Sequence, residues 1–295
     1  MTRSGALDRV PAPAIFVVSG LTLYLGAALA VGLFAVLPAA TVAWLRIVVA
    51  AAVLVAWSRP WRRRWTRRDL AVATAFGACL AAMNITFYVA IEHLPLGTAV
   101  AIEFVGPVVV AAVTGSGWRE RLGIVLAAAG VVLLAGVTLS VGGPGAAVGL
   151  VAILLAATFW AGYIVLGRRV AIAGEGMSGL AVAMAAGGLL SAPFLAVPAA
   201  PVLTSWTLAA AVVGVALLSS VVPYVLDQVV MRRVGPALFA ILLALLPATA
   251  AVVGAVVLQQ WLTAWEVVGL VLVSGAIALA SARRRPALPE PAVTP

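Results

Sequence analysis

The 295-residue chain contains no lysine, one histidine (His93), one cysteine (Cys79) and nine acidic residues, and only 9% of it is charged. A soluble domain carries about 25% charged residues. A chain so poor in charge cannot cover a water-facing surface, and a soluble enzyme is excluded. One cysteine permits no intrachain disulfide, and one histidine leaves no room for a histidine-rich metal site. No metal and no cofactor are expected. Without lysine, a phosphate-cradling loop of the Walker type cannot be built. The basic excess is arginine alone, 18 residues for a net charge of +9. These arginines are scattered between apolar stretches rather than gathered on one face. That argues against a nucleic-acid partner and is the way a membrane protein orients itself.

What the sequence does contain is apolar: 65% hydrophobic residues and a mean hydropathy of +1.21. A helix needs about 20 apolar residues to cross a bilayer. Ten such spans can be placed, at approximately residues 14–34, 39–57, 70–90, 97–115, 120–139, 147–167, 178–198, 206–227, 236–257 and 264–281. The loops between them are short. With a cytoplasmic N-terminus, the inside segments hold Arg3 and Arg9, then Arg59, Arg62, Arg63, Arg64, Arg67 and Arg68. Further along come Arg119 and Arg121, Arg168 and Arg169, Arg232 and Arg233, and Arg283 to Arg285. Only Arg46 lies within a span, and no outside loop holds an arginine. Gaining or losing one span would break this alternation. Ala27-Ala28-Leu29-Ala30 resembles a signal-peptide cleavage site, but the apolar run is longer than an h-region and is expected to be retained.

The expected fold is therefore an all-α membrane protein of ten transmembrane helices, with N- and C-termini cytoplasmic, in the cell membrane. Its halves look related. An offset of 140 brings Pro107 onto Pro247 and Pro95 near Pro236, and lays Glu92-His93 over Arg232-Arg233. Five spans per half is an odd number, so the halves run in opposite directions through the membrane. Residues 1–140 form the first five-helix repeat and 141–285 the second, with 286–295 a Pro-rich tail. Inverted repeats are typical of secondary transporters, whose sites lie near the midplane between the repeats.

Several stretches carry a family resemblance: Arg59-Pro60-Trp61-Arg62-Arg63-Arg64, Met83-Asn84-x-x-Phe87-Tyr88-x-Ala90, Leu94-Pro95-Leu96-Gly97 and Glu103-Phe104-x-Gly106-Pro107. Phe159-Trp160-Ala161-x-Tyr163 and Ser219-Ser220-x-x-Pro223-Tyr224 follow later. Together the chain resembles the EamA-type transporters of the drug/metabolite transporter superfamily, nearest the threonine/homoserine exporter branch. The resemblance implies that each half is an EamA-like repeat. It also implies a secondary transporter that exports a small amino acid or related polar metabolite by alternating access, with proton exchange the expected drive. The alternative within the fold is drug or other metabolite efflux. A membrane enzyme would need clustered polar or metal-binding residues, and a purely structural subunit is the other rival. Two positions depart from the family pattern: Leu246, where glutamate often precedes the second-half proline, and Gln259-Gln260, where Gly-Glu is frequent.

Charged groups within a bilayer are costly and mark a pathway or an internal pair. Arg46 and Glu103 each lie seven residues from the outer end of a span, about 10 Å deep at 1.5 Å per residue, and Asn84 lies at nearly the same level. Depth alone suggests an Arg46–Glu103 pair. Arg46 is a candidate to hold a substrate carboxylate, and Glu103 an ammonium group or an exchangeable proton. Pro107 and Pro247 are expected to kink their helices, because each lacks the N–H that would bond the carbonyl one turn back. Tyr88, Trp160 and Tyr163 are candidate ligand contacts. Asp227 reads as solvated or paired with Arg232, Glu266 as interfacial and His93 as an exposed loop residue. The arginines at 62–68, interleaved with Trp57, Trp61 and Trp65, read as an anchor to anionic lipid headgroups. Gly123, Gly130, Gly136, Gly269 and Gly275 read as helix-packing or dimer contacts.

Overall fold

Apolar runs in hydrocarbon find no water for their N–H and C=O groups, so each must close its hydrogen bonds internally as helix. The computed structural model, which describes residues 10–114, 117–172, 176–234, 238 and 242–281, is helical throughout, with no strand among the described residues. The helices are α1 (Ala12–Leu33), α2 (Ala39–Ser58), α3 (Arg67–His93), α4 (Leu96–Glu103), α5 (Val105–Thr114), α6 (Trp118–Val141) and α7 (Ala146–Ile172). They continue as α8 (Gly176–Leu195), α9 (Ala200–Thr204), α10 (Trp206–Ala216), α11 (Val222–Arg233), α12 (Leu246–Val257) and α13 (Ala264–Ser281). Among the described residues seven helical stretches are long and apolar enough to cross a membrane, and three shorter apolar helices accompany them. Large apolar side chains cover the outside: Phe194 is 81% exposed and Leu203 90%. Such a surface is stable in lipid and aggregates in water.

Local chemistry sets the helix ends. Thr66 and Asp69 form a reciprocal capping box at the start of α3, satisfying two orphan donors. Arg59 closes α2 in a left-handed conformation, φ 48°. The Trp65 indole then donates to the Pro60 carbonyl at 3.0 Å, and the Arg63 guanidinium lies 5.8 Å from the Trp65 ring centre. The side chain of Glu266, expected at the interface, is buried instead. It accepts from Thr98 at 3.1 Å and from the Thr263 amide at 2.8 Å, tying the start of α13 to α4. Gln260 accepts from the Leu96 amide at 2.9 Å and so caps α4. Gln260→Ala is expected to cost about 1 kcal/mol, the usual worth of a lost cap, read as a lower thermal midpoint of the purified protein.

Three expected spans differ in detail. The fourth breaks at Phe104 into α4 and α5, one turn ahead of Pro107, which has no N–H to donate to the Glu103 carbonyl. The seventh ends at Leu195, two residues past Pro193, and the chain turns into α9. The beginning of the ninth, with Pro236, lies outside the described residues; it breaks at Ala244–Leu245, just before Pro247 enters the first turn of α12. Both tails, with Arg3, Arg9, Arg283 to Arg285 and residues 286–295, also lie outside.

Helix α3 packs on α7 and α8, α6 on α13, α2 on α8, α4 on α12, and α1 on α11 and α12. Helices α3 and α8 approach backbone to backbone. A Cβ on Gly77 would lie 2.0 Å from the Ala183 carbonyl oxygen, and one on Gly187 would lie 2.4 Å from that of Gly77. Gly130 and Gly269 face each other between α6 and α13, whereas Gly136 and Gly275 meet nothing within 4 Å.

Candidate functional site

A cavity of about 270 Å³ lies where α1, α2, α3, α4, α7 and α11 meet. Its polar lining is Arg46, Asn84, Glu103, Ser219, Tyr224 and Asp227. Tyr24, Trp160 and Tyr163 form much of the remaining wall. A second, larger hollow of about 340 Å³ runs between α2 and α8. It is lined by apolar side chains such as Val48, Met184 and Leu189 and offers nothing to orient a polar ligand.

Arg46 is the centre of the polar wall. Its Nε donates to Ser220 Oγ at 3.1 Å, Nη1 donates to Tyr88 Oη at 3.0 Å, and Nη2 donates to Asn84 Oδ1. The guanidinium carbon also lies 5.2 Å from the Tyr88 ring centre. A guanidinium has five N–H groups. Three are spent on neutral acceptors, and one on each terminal nitrogen has no partner among the described residues. Each acceptor is itself held. Asn84 Nδ2 donates to the Leu80 carbonyl at 2.8 Å, which turns Oδ1 toward Arg46. Ser220 lies in a π-helical turn, Leu217–Val221. Pro223 cannot donate to the Ser219 carbonyl, and the wider turn absorbs the misfit. Helix α1 reaches this turn only because residue 26 is glycine: a Cβ there would lie 2.8 Å from the Ser219 nitrogen.

The ion pair expected between Arg46 and Glu103 is absent among the described residues. The two groups share the cavity, but the arginine turns to Asn84, Tyr88 and Ser220. Glu103, 9% exposed, is the last residue of α4. Beside it Phe104 meets Trp160 edge-on, ring centres 4.7 Å apart. Of the residues singled out in the sequence, Arg46, Asn84, Glu103, Trp160 and Tyr163 do line the cavity. Tyr88 does not. It is wholly buried behind Arg46 and positions the guanidinium. Pro107 and Pro247 stay outside the lining and shape the helix breaks beside it.

Asp227, expected to be solvated or paired with Arg232, is not a solvated surface group, and the Arg232 side chain lies outside the described residues. Asp227 lines the cavity and accepts from Ser19 Oγ on α1 at 2.7 Å. The Tyr163 and Tyr224 hydroxyls lie within hydrogen-bonding reach of each other nearby. The signal was available. Ser219, Pro223 and Asp227 recur every fourth residue, which puts them on one face of a helix. Tyr24 and Ser19 carried no comparable mark, because α1 is apolar all round.

Comparison with known proteins agrees with this arrangement. Residues 147–282 match the EamA-like transporter family. The threonine/homoserine exporter RhtA of Salmonella typhimurium (strain LT2) is 34% identical over 248 residues, covering 83% of this chain and 82% of its own. The protein of the same name from Escherichia coli (strain K12) is 34% identical over 259 residues, 87% of this chain and 85% of its own. A protein of known crystal structure, 20% identical, superposes over 91% of this chain and 96% of its own with a TM-score of 0.57, which shows a shared fold. An all-helical, lipid-faced chain with a polar central cavity, and with relatives this similar over this much of its length, is a multi-pass membrane transporter and belongs to the EamA-type family, near its RhtA branch.

Proposed function

We propose that the protein is a secondary transporter that exports a small α-amino acid, of the threonine or homoserine kind, across the cell membrane by alternating access, in exchange for protons. One observation carries this reading. Arg46 is a cation on the wall of a membrane-embedded cavity with only neutral partners and one spare N–H on each terminal nitrogen. A buried charge calls for a counter-charge, and a planar fork of donors suits a carboxylate. Glu103 in the same wall is suited to the ammonium group or to the exchanged proton. Asn84, Trp160 and Tyr163 complete the lining. The cavity volume of about 270 Å³ falls below the roughly 300–1,000 Å³ of pockets for drug-sized ligands. That favours an amino acid over the drug-efflux alternative. The names of the relatives point the same way.

The ten-span inverted repeat, residues 1–140 and 141–285 with both termini cytoplasmic, belongs to this proposal. Packing supports it: α3 lies on α7 as α11 lies on α1, and α4 lies on α7 as α12 lies on α1. Helices α2 and α8, α4 and α12, and α6 and α13 each pack on their own counterpart. The arginine platform after α2, with Trp57 and Trp61 exposed, is the proposed contact for anionic lipid at the inner surface. The test is overexpression. Cells are expected to gain resistance to threonine, homoserine and their analogues, and to release these amino acids faster. No change with any amino acid would move the assignment to the drug-efflux alternative.

A further inference from the structure

Asp227 has no role in the reading above, yet it faces the same cavity. It lies seven residues beyond Ser220 on one continuous helical stretch, about 10 Å along the axis from the residue that holds Arg46. Ser19 Oγ, on α1, donates to its Oδ1 at 2.7 Å and fixes the carboxylate. Oδ2 has no donor among the described residues. Tyr24, Tyr163 and Tyr224 flank it. An oriented, half-satisfied carboxylate at one end of a small cavity, with a carboxylate-seeking arginine toward the other, defines a ligand with two different ends.

We infer that Asp227, set by Ser19, is the specificity-determining residue that reads the hydroxyl of the substrate side chain. This rests on the amino-acid reading above. An amino acid whose carboxylate sits on Arg46 presents its ammonium on the nearest carbon, close to Arg46 and within the reach of Glu103. Only the side-chain tip extends toward Asp227. A site built to bond a hydroxyl rejects the methyl isostere, because its own acceptor is then left unpaired.

Homoserine and norvaline differ only by hydroxyl against methyl. The full chain, purified and reconstituted in liposomes, is assayed for exchange of each. The wild-type protein is expected to prefer homoserine by about 10- to 100-fold, and Asp227→Ala to bring that ratio close to one. Ser19→Ala, on a different helix, is expected to reduce the same preference and serves as the reading should Asp227→Ala fail to fold. A ratio that stays at its wild-type value in both variants, even if both rates fall together, overturns the assignment of Asp227. Exchange of neither amino acid by the wild-type protein overturns the amino-acid reading itself.

Discussion

Arg46→Lys is expected to weaken binding of a carboxylate-bearing substrate by about 30-fold or more, the consequence of losing a charge-assisted contact worth about 2–5 kcal/mol. Lysine keeps the charge, so a purely electrostatic role for Arg46 would leave most of the affinity. The fixed geometry of the guanidinium says otherwise. Its Nε, Nη1 and Nη2 each point to a separate acceptor, on Ser220, Tyr88 and Asn84. An ammonium group is a compact point charge and cannot span all three. The wholly buried Tyr88 hydroxyl would lose its partner, and the remaining donors would no longer present a fork. Arg46→Gln is expected to abolish binding altogether. Equilibrium binding of threonine to purified protein reads both, with size-exclusion chromatography as the check on folding.

The second large effect concerns the scaffold. Gly77→Ala is expected to prevent recovery of monodisperse protein, or to lower its thermal midpoint severely. Overpacking a core usually costs 1–3 kcal/mol, because a neighbouring side chain can shift. Here the obstacle is backbone. The added Cβ would fall 2.0 Å from the Ala183 carbonyl oxygen, and Gly187 opposite shows that both helices are already at their closest approach. Only separation of α3 from α8 relieves the clash, and that would open the wall carrying Asn84. Gly136→Ala is the control. Nothing lies within 4 Å of its new Cβ, and it is expected to change stability by no more than about 0.5 kcal/mol.

Apolar runs and arginine placement made the helices and their approximate ends visible, since both follow from transfer energetics that act residue by residue. Counting residues from the expected outer ends puts Arg46, Asn84 and Glu103 at one level, and the three line one cavity. Azimuth was not readable. Helices apolar on every side carry no stripe to say which face is inward, so the partner of Arg46 was assigned to Glu103 although the ring of acceptors is Ser220, Tyr88 and Asn84. Tyr88, a candidate ligand contact by sequence, lies behind the arginine. Asp227 sits near a helix end beside two arginines, which by sequence suggests a solvated or paired group. The π-helical turn at Leu217–Val221, which sets the face that α11 presents, leaves no local signature except Pro223. Gly77 stood in a helix rich in small residues, and nothing local distinguished it from its neighbours.

Exchange of labelled threonine in liposomes holding the full chain probes the proposed Arg46 site most directly, when unlabelled threonine and its decarboxylated amine are added as competitors at equal concentration. With a substrate carboxylate seated on Arg46, threonine is expected to compete fully and the amine hardly at all. Equal competition by the amine, or no threonine exchange at any concentration, would contradict it.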